Sequence, residues 1–340
     1  MAQGDHERRR HASVAGVLNP TLDLPAAEAK AAVAGDRLFR LATGGFALLV
    51  LGLMAAILVS LFMGALPALD KFGWHFFVSS EWNPVTGRFG AASSILGTLA
   101  TSLVALAVAV PVSFGIAIFL NELCPHWLRR PVGIAVELLA GVPSVIYGIW
   151  GLFVFAPLFA DRIQPALSEW LGSLPWVGGL FQGPPIGLGW GVAGFVLGIM
   201  VIPFIASVMR DVLASVPAQV RESAYALGAT HWEVVRHVLV PGTRQGLAGG
   251  IVLGLGRALG ETMAVTFLVG NAHNIQYSLF QPGNTIASTI ANEFTEASSD
   301  LHVSVLIALG LALFGITIVV LSLAQWLLLR PVRQAAGVAT

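Results

Sequence analysis

The chain has 340 residues, 56% of them hydrophobic and 11% charged, with a mean hydropathy of +0.80. Soluble domains carry about 25% charged residues, so this composition excludes an ordinary soluble fold and points to a membrane protein. A formal net charge of zero offers nothing to nucleic acid or an acidic polymer, and the single cysteine, Cys124, excludes an intramolecular disulfide or a cysteine-based metal site.

Arg8, Arg9 and Arg10 open the chain, but His11 to Lys30 mixes Pro, Asp, Glu, Asn and Ala without an apolar core. That pattern is not a cleaved signal, and residues 1–40 are expected to form a cytoplasmic tail. Six apolar stretches then reach spanning length, near 44–66, 94–120, 132–160, 188–209, 247–270 and 303–329. They define a membrane domain over 41–332, followed by a short tail at 333–340. Glu137, Pro143 and Pro157 interrupt the third stretch, where proline is expected to kink the helix. Fourteen Lys and Arg fall in the two tails and the 121–131 and 210–246 loops, against three (Lys71, Arg88, Arg162) in the opposite loops. The positive-inside rule puts both termini and the 210–246 loop in the cytoplasm of a multi-pass inner-membrane protein.

Among the outer loops, 67–93 is rich in aromatic residues suited to the headgroup level, and 161–187 reads as an outer-surface loop rich in Pro, Gly and Trp. Within 271–302, Asn284 is expected to cap a short helix with Ile286, Ile290 and Phe294 on one face. In the cytoplasmic loop, Pro217 suits a first helical turn, and Val220, Ala224 and Leu227 form an apolar stripe. Gly228 suits a left-handed helix stop. Thr230-His231-Trp232-Glu233 reads as a capping box that opens a second helix, with Trp232, Val235 and Leu239 on one face and Pro241 closing it. The eight histidines have no metal-ligand spacing. No internal repeat of the kind that marks many ATP-independent secondary transporters is visible.

The last span but one carries the chemistry. Arg257 is the only basic residue in the six predicted spans, and Glu261 follows one helical turn later, on the same face of a continuous helix. Each charge costs roughly 2.5 to 3.5 kcal/mol near mid-bilayer, so the pair needs a reason. A guanidinium fork matches the oxygens of an oxyanion, and an ionised Glu261 accepts from a P–OH group that sulfate lacks. The plainer alternative is a structural ion pair. Gly250/Gly254 and Gly256/Gly260 would let that helix approach a neighbour closely.

Two sets of motifs carry a family resemblance. Glu222-Ser223-Ala224, three residues, Gly228, nine residues, then Val238-Leu239-Val240-Pro241 resembles the EAA loop of ABC importer permeases, with Ser223, Val238 and Val240 departing conservatively. Gly256-Arg257-Ala258-Leu259-Gly260-Glu261-Thr262 and the segment Glu137–Gly148, with Pro143-Ser144 and Tyr147-Gly148, resemble the phosphate-specific (Pst-type) permeases. Trp82-Asn83-Pro84 with Phe89-Gly90 resembles the PstC-type rather than the PstA-type subunit. The resemblance runs from about 40 to 330. It implies an all-α, six-helix MetI-like ABC importer permease that moves inorganic phosphate by alternating access and is itself no enzyme. It implies that Glu222, Ser223, Ala224, Gly228 and Pro241 belong to an ATPase-coupling loop, and that Arg257 and Glu261 serve phosphate passage. Glu137 and Ser144 are weaker pathway candidates, and Glu137 has a competing expectation, pairing with an interfacial arginine such as Arg129. The implied partners are a PstA-type permease, a PstB-type ATPase dimer and an external PstS-type phosphate-binding protein. No lysine sits in a P-loop, so ATP and Mg belong on the ATPase and this chain holds no cofactor. Another oxyanion, such as sulfate, molybdate or phosphonate, stays open as cargo.

Overall fold

Among the described residues, six helices are long and apolar enough to cross a membrane. The computed structural model describes residues 26–175, 177–275 and 277–329, with side chains from residue 36. The basic residues Arg8, Arg9, Arg10, Arg330 and Arg333 lie outside the described residues. The chain divides into two units, Met1–Ser60 and Leu61–Thr340. Helix α1, Ala26–Phe72, runs through the division. Every residue from 36 to 60 is exposed, which suits an apolar helix whose solvent is lipid.

In the second unit, α2 (Ala92–Leu123), α4 (Ser144–Leu171), α5 (Trp190–Ala214), α7 (His231–Leu259) and α10 (Asp300–Leu329) are the remaining long helices. Shorter ones are α3 (His126–Ala140), α6 (Ala218–Ala226), α8 (Met263–Leu268) and α9 (Ile286–Glu293). The only strands among the described residues are a two-residue pair, β1 (Trp82–Asn83) and β2 (Arg88–Phe89), closed by an Asn83 turn.

The centre of the second unit is α5, with Leu197, Val201 and Ile205 fully buried. Small residues bring its neighbours close. A Cβ on Gly194 would lie 2.7 Å from Val104 Cβ and 2.9 Å from the Thr101 carbonyl of α2. On the other side, a Cβ on Gly254 of α7 would lie 2.4 Å from Ile205 Cδ1, and Gly250 faces Val208. The Gly250/Gly254 face is therefore used within the chain, against α5, and Gly256 faces Leu321 of α10. The close approach expected of Gly250/Gly254 is thus made within the chain, to α5.

Two predicted spans are corrected. The third is broken: α3 ends at Ala140, and α4 begins at Ser144 after Gly141-Val142-Pro143. Pro143 keeps Val142 from continuing a helix and itself takes ψ 136°. Pro157 is absorbed between two π-helical turns, Gly151–Phe155 and Phe159–Ile163, so α4 runs on to Leu171 through part of the expected outer loop. The fifth span starts earlier, at His231, and ends at Leu259 instead of continuing to 270.

At the end of the fold that carries the β-hairpin, Thr285 and not Asn284 caps α9, in a reciprocal box with Ser288. Asn284 instead turns inward, donating to Ser94, Thr289 and the His273 ring. Ile286 is buried, but Phe294 is exposed, so the expected apolar face is only partly used. Glu293 ends α9 as the acceptor for three donors: Trp82 Nε1 at 2.9 Å, His302 Nε2 at 2.9 Å and His273 Nε2 at 3.1 Å. Trp82 stacks on His273, and Phe89 on His302. One carboxylate thus fastens the hairpin, the 271–285 loop and α10. Burial raises the Glu293 pKa, but the hydrogen bonds from His273, His302 and Trp82 outweigh it and hold the carboxyl below its ordinary value. A lowered folded-state pKa gives stability that is complete above the unfolded value near ~4.3 and lost as pH falls through the folded one. Thermal unfolding of the purified protein is therefore expected to show an acid-side loss of stability below about pH 4.3 that Glu293→Gln reduces.

Candidate functional site

The site is built on α7, and α7 begins at the cytoplasmic-loop motif. Pro217 is the N-cap of α6, and Gly228 ends the helix at φ +87°. Gly228 N–H donates to Tyr225 O and Ala229 N–H to Ala224 O, the bond pair of a Schellman stop. The Thr230–Glu233 capping box is present in both directions. From there the helix is unbroken to Leu259, because Pro241 does not end it. A π-helical turn, Val235–Leu239, precedes the proline and absorbs its missing donor. Val235 and Leu239 are buried, but Trp232 is 64% exposed and Leu227 is 90% exposed. In α6, Ala224 packs on the core while Val220 is exposed, so the predicted apolar stripes divide between core and surface. Glu222, Ser223 and Gly228 are exposed.

The loop is anchored by residues that sequence spacing did not reveal. Arg221 pairs with Glu122 at the end of α2 at 3.2 Å, with side-chain exposures of 18% and 6%. Tyr225 donates to the other Glu122 oxygen at 3.1 Å, and Arg221 also donates to the Leu213 carbonyl of α5. Burial, then the Glu122 carboxylate, push the Tyr225 hydroxyl up and keep it a donor. The only sequence sign was an acid, Glu122, directly after an apolar span.

Arg257 lies in the last turn of α7, about 39 Å along the helix from His231 at 1.5 Å per residue. Glu261 is not its partner. The helix ends at Leu259, Gly260 follows at the C-cap, and Glu261 Oε1 accepts from Ala264 N–H at 3.3 Å at the start of α8. The break takes Glu261 off the face that a continuous helix would share with Arg257. Among the described residues no carboxylate lies within 4.0 Å of Arg257, and its Nε is buried without an acceptor. Its neighbour is the Phe204 ring of α5, with Cζ 5.5 Å from the centroid. It is also in electrostatic reach of the Tyr147 hydroxyl of α4.

The two family-like segments meet here. α8 packs on the first turns of α4: a Cβ on Gly148 would lie 2.7 Å from Phe267 Cδ2 and 3.1 Å from Ala264 Cα. Ser144, the first residue of α4, is half-buried, and its hydroxyl makes no hydrogen bond among the described residues. Glu137 is elsewhere. It pairs with Arg210 of α5 at 2.6 Å, while Arg129 donates to the Asn121 carbonyl, so the interfacial partner is Arg210 rather than Arg129.

Residues 113–332 match the family of binding-protein-dependent transport system inner membrane components. The chain belongs to that family. Within it, the chain groups with the PstC permeases. It is 54% identical over 295 residues to the phosphate transport system permease protein PstC of Mesorhizobium japonicum, covering 87% of this chain and 90% of the relative. It is 57% identical to the Pasteurella multocida PstC over 87% and 92% of the two chains. The probable PstC of Methanocaldococcus jannaschii is 40% identical over 79% and 85%. This permease is a multi-pass membrane component of an ABC transport system and not an enzyme.

Removing one member of the Glu122–Arg221 pair leaves the other buried and unpaired. Glu122→Leu in this permease is expected to destabilise it by about 3 kcal/mol in thermal unfolding in detergent, and adding Arg221→Met recovers much of that loss.

Proposed function

We propose that the chain is one permease half of an ATP-driven importer that carries inorganic phosphate into the cytoplasm, with Arg257 as its anion-binding group. The observation that carries this is a guanidinium in an apolar span with no carboxylate among the described residues against it. A salt bridge would have neutralised Arg257 internally; an unpaired guanidinium leaves its charge and forked donors for an oxyanion. Relatives at 54% and 57% identity that are phosphate transport system permeases support phosphate as that oxyanion.

In this reading Arg257 takes phosphate oxygens. Glu261 Oε2, which makes no hydrogen bond among the described residues, accepts from a P–OH group. The unbonded Ser144 hydroxyl is a further donor or acceptor in the pathway. Glu137 is left out, since its charge is matched by Arg210. Both termini and the α6–α7 loop face the cytoplasm. There Glu222, Ser223, Ala224 and Gly228 dock in a cleft of a PstB-type ATPase, and Pro241 marks the passage from loop to span. ATP and Mg act on that ATPase. A PstA-type permease supplies the second half of the pathway, and a PstS-type protein delivers phosphate from outside. Closure of the ATPases pulls α6, and α7 carries the displacement toward Arg257.

The test is uptake of labelled phosphate by cells that have no other phosphate route. Arg257→Gln is expected to lower uptake by at least tenfold with the protein still in the membrane, since it removes a charge-assisted contact worth roughly 1.5 to 3 kcal/mol. Glu261→Gln is expected to narrow the preference for phosphate over sulfate in competition assays. Full uptake by Arg257→Gln, or equal competition by sulfate, molybdate or a phosphonate in the unaltered protein, overturns the assignment.

A further inference from the structure

Arg257 needs a partner that orients it without consuming its donors, and the structure places an aromatic face there. Phe204 follows Pro203 in α5, the most enclosed helix, and its ring centroid lies 5.5 Å from Arg257 Cζ. α5 and α7 are held in close approach by Gly250 and Gly254 against Val208 and Ile205, so the ring and the guanidinium sit on two helices fixed to each other. The ring attracts a cation through its quadrupole but accepts no N–H in the guanidinium plane. A carboxylate in the same place would occupy two of the five donors and compete with an oxyanion. The acidic residue expected there, Glu261, is instead engaged at the start of α8. Among the described residues the buried Nε of Arg257 has no acceptor, so that donor is not absorbed locally.

We infer that Phe204 is the positioning residue of the anion site: its ring holds the Arg257 guanidinium by a cation–π contact in place of a counter-ion, leaving its donors free for an oxyanion. This rests on the proposal that Arg257 binds the transported anion. Phe204 does not touch the anion; it sets where the guanidinium waits and lowers the cost of keeping it unpaired. Loss of the π face is expected to appear as weaker apparent affinity and not as loss of the transport step.

The experiment measures KM and maximal rate of phosphate uptake in the assembled transporter in cells, with membrane content measured by immunoblot. Phe204→Leu keeps an apolar side chain of similar size and removes the π face. It is expected to raise KM by about 3- to 30-fold with a maximal rate within twofold. Phe204→Trp is expected to restore KM, because indole is a stronger π face. Should Phe204→Leu fail to accumulate, stepwise fluorinated phenylalanine at 204 keeps the shape while draining the ring quadrupole, and KM is expected to rise with each fluorine. An unchanged KM across the fluorinated series, or a fall in maximal rate alone that Trp does not rescue, overturns the role of Phe204. Arg257→Gln separates the two claims. If it abolishes uptake while the Phe204 series leaves KM flat, the anion site stands and the positioning role fails. If Arg257→Gln transports with an unchanged KM, the site itself is wrong.

Discussion

An uncompensated cation inside an apolar helix bundle is the constraint around which this permease is arranged. Several other polar groups in the spans are satisfied close to home. Thr98, Thr101 and Thr243 return their hydroxyls to carbonyls one turn back, and Ser113 donates across to Ile202 of α5. Glu137 and Arg210 meet each other, as do Glu122 and Arg221. Arg257 alone among these charged groups has an aromatic ring where a carboxylate would be expected. Holding this charge half-buried in an apolar helix carries a desolvation cost that no ion pair among the described residues returns.

The helix that carries this cation also carries the loop motif, and it is continuous between them. A single rod from His231 to Leu259 makes a displacement at the Thr230 cap a displacement at Arg257, because helices transmit axial and lateral movement with little compression. The π-helical turn at Val235–Leu239 is what keeps the rod whole across Pro241. The close α5–α7 approach fixes the ring and the guanidinium to each other, and the Glu122–Arg221–Tyr225 cluster ties α6 to the ends of α2 and α5. The loop is therefore tied to three long helices, not one.

At the other end, Glu293 performs the opposite task. Its three donors join the hairpin, the 271–285 loop and α10 in one network. There a buried carboxylate is fully used by its neighbours, whereas Arg257 is left open. The contrast is one of local partners: three for Glu293, and no carboxylate for Arg257 among the described residues.

The sequence by itself determined six apolar spans, the capped helix pair of the loop, its glycine stop at Gly228, and the segments that meet around Arg257. Those features are local: hydrophobic length, capping chemistry and backbone preference are all set within a few residues. What only the tertiary structure decided was partnership. Spacing put Glu261 beside Arg257, but Gly260 ends the helix between them, and the carboxylate turns to the next helix start. Spacing offered the glycine face to a neighbouring helix, but only the fold makes that neighbour α5. Asn284 resembled a cap, yet Thr285 takes that place and frees the amide for α2. Phe204 and Arg210 carried no local signal, and Glu122 only that of an acid placed after an apolar span, because their roles depend on which residues from distant stretches are brought within a few ångströms, and periodicity contains no information about that.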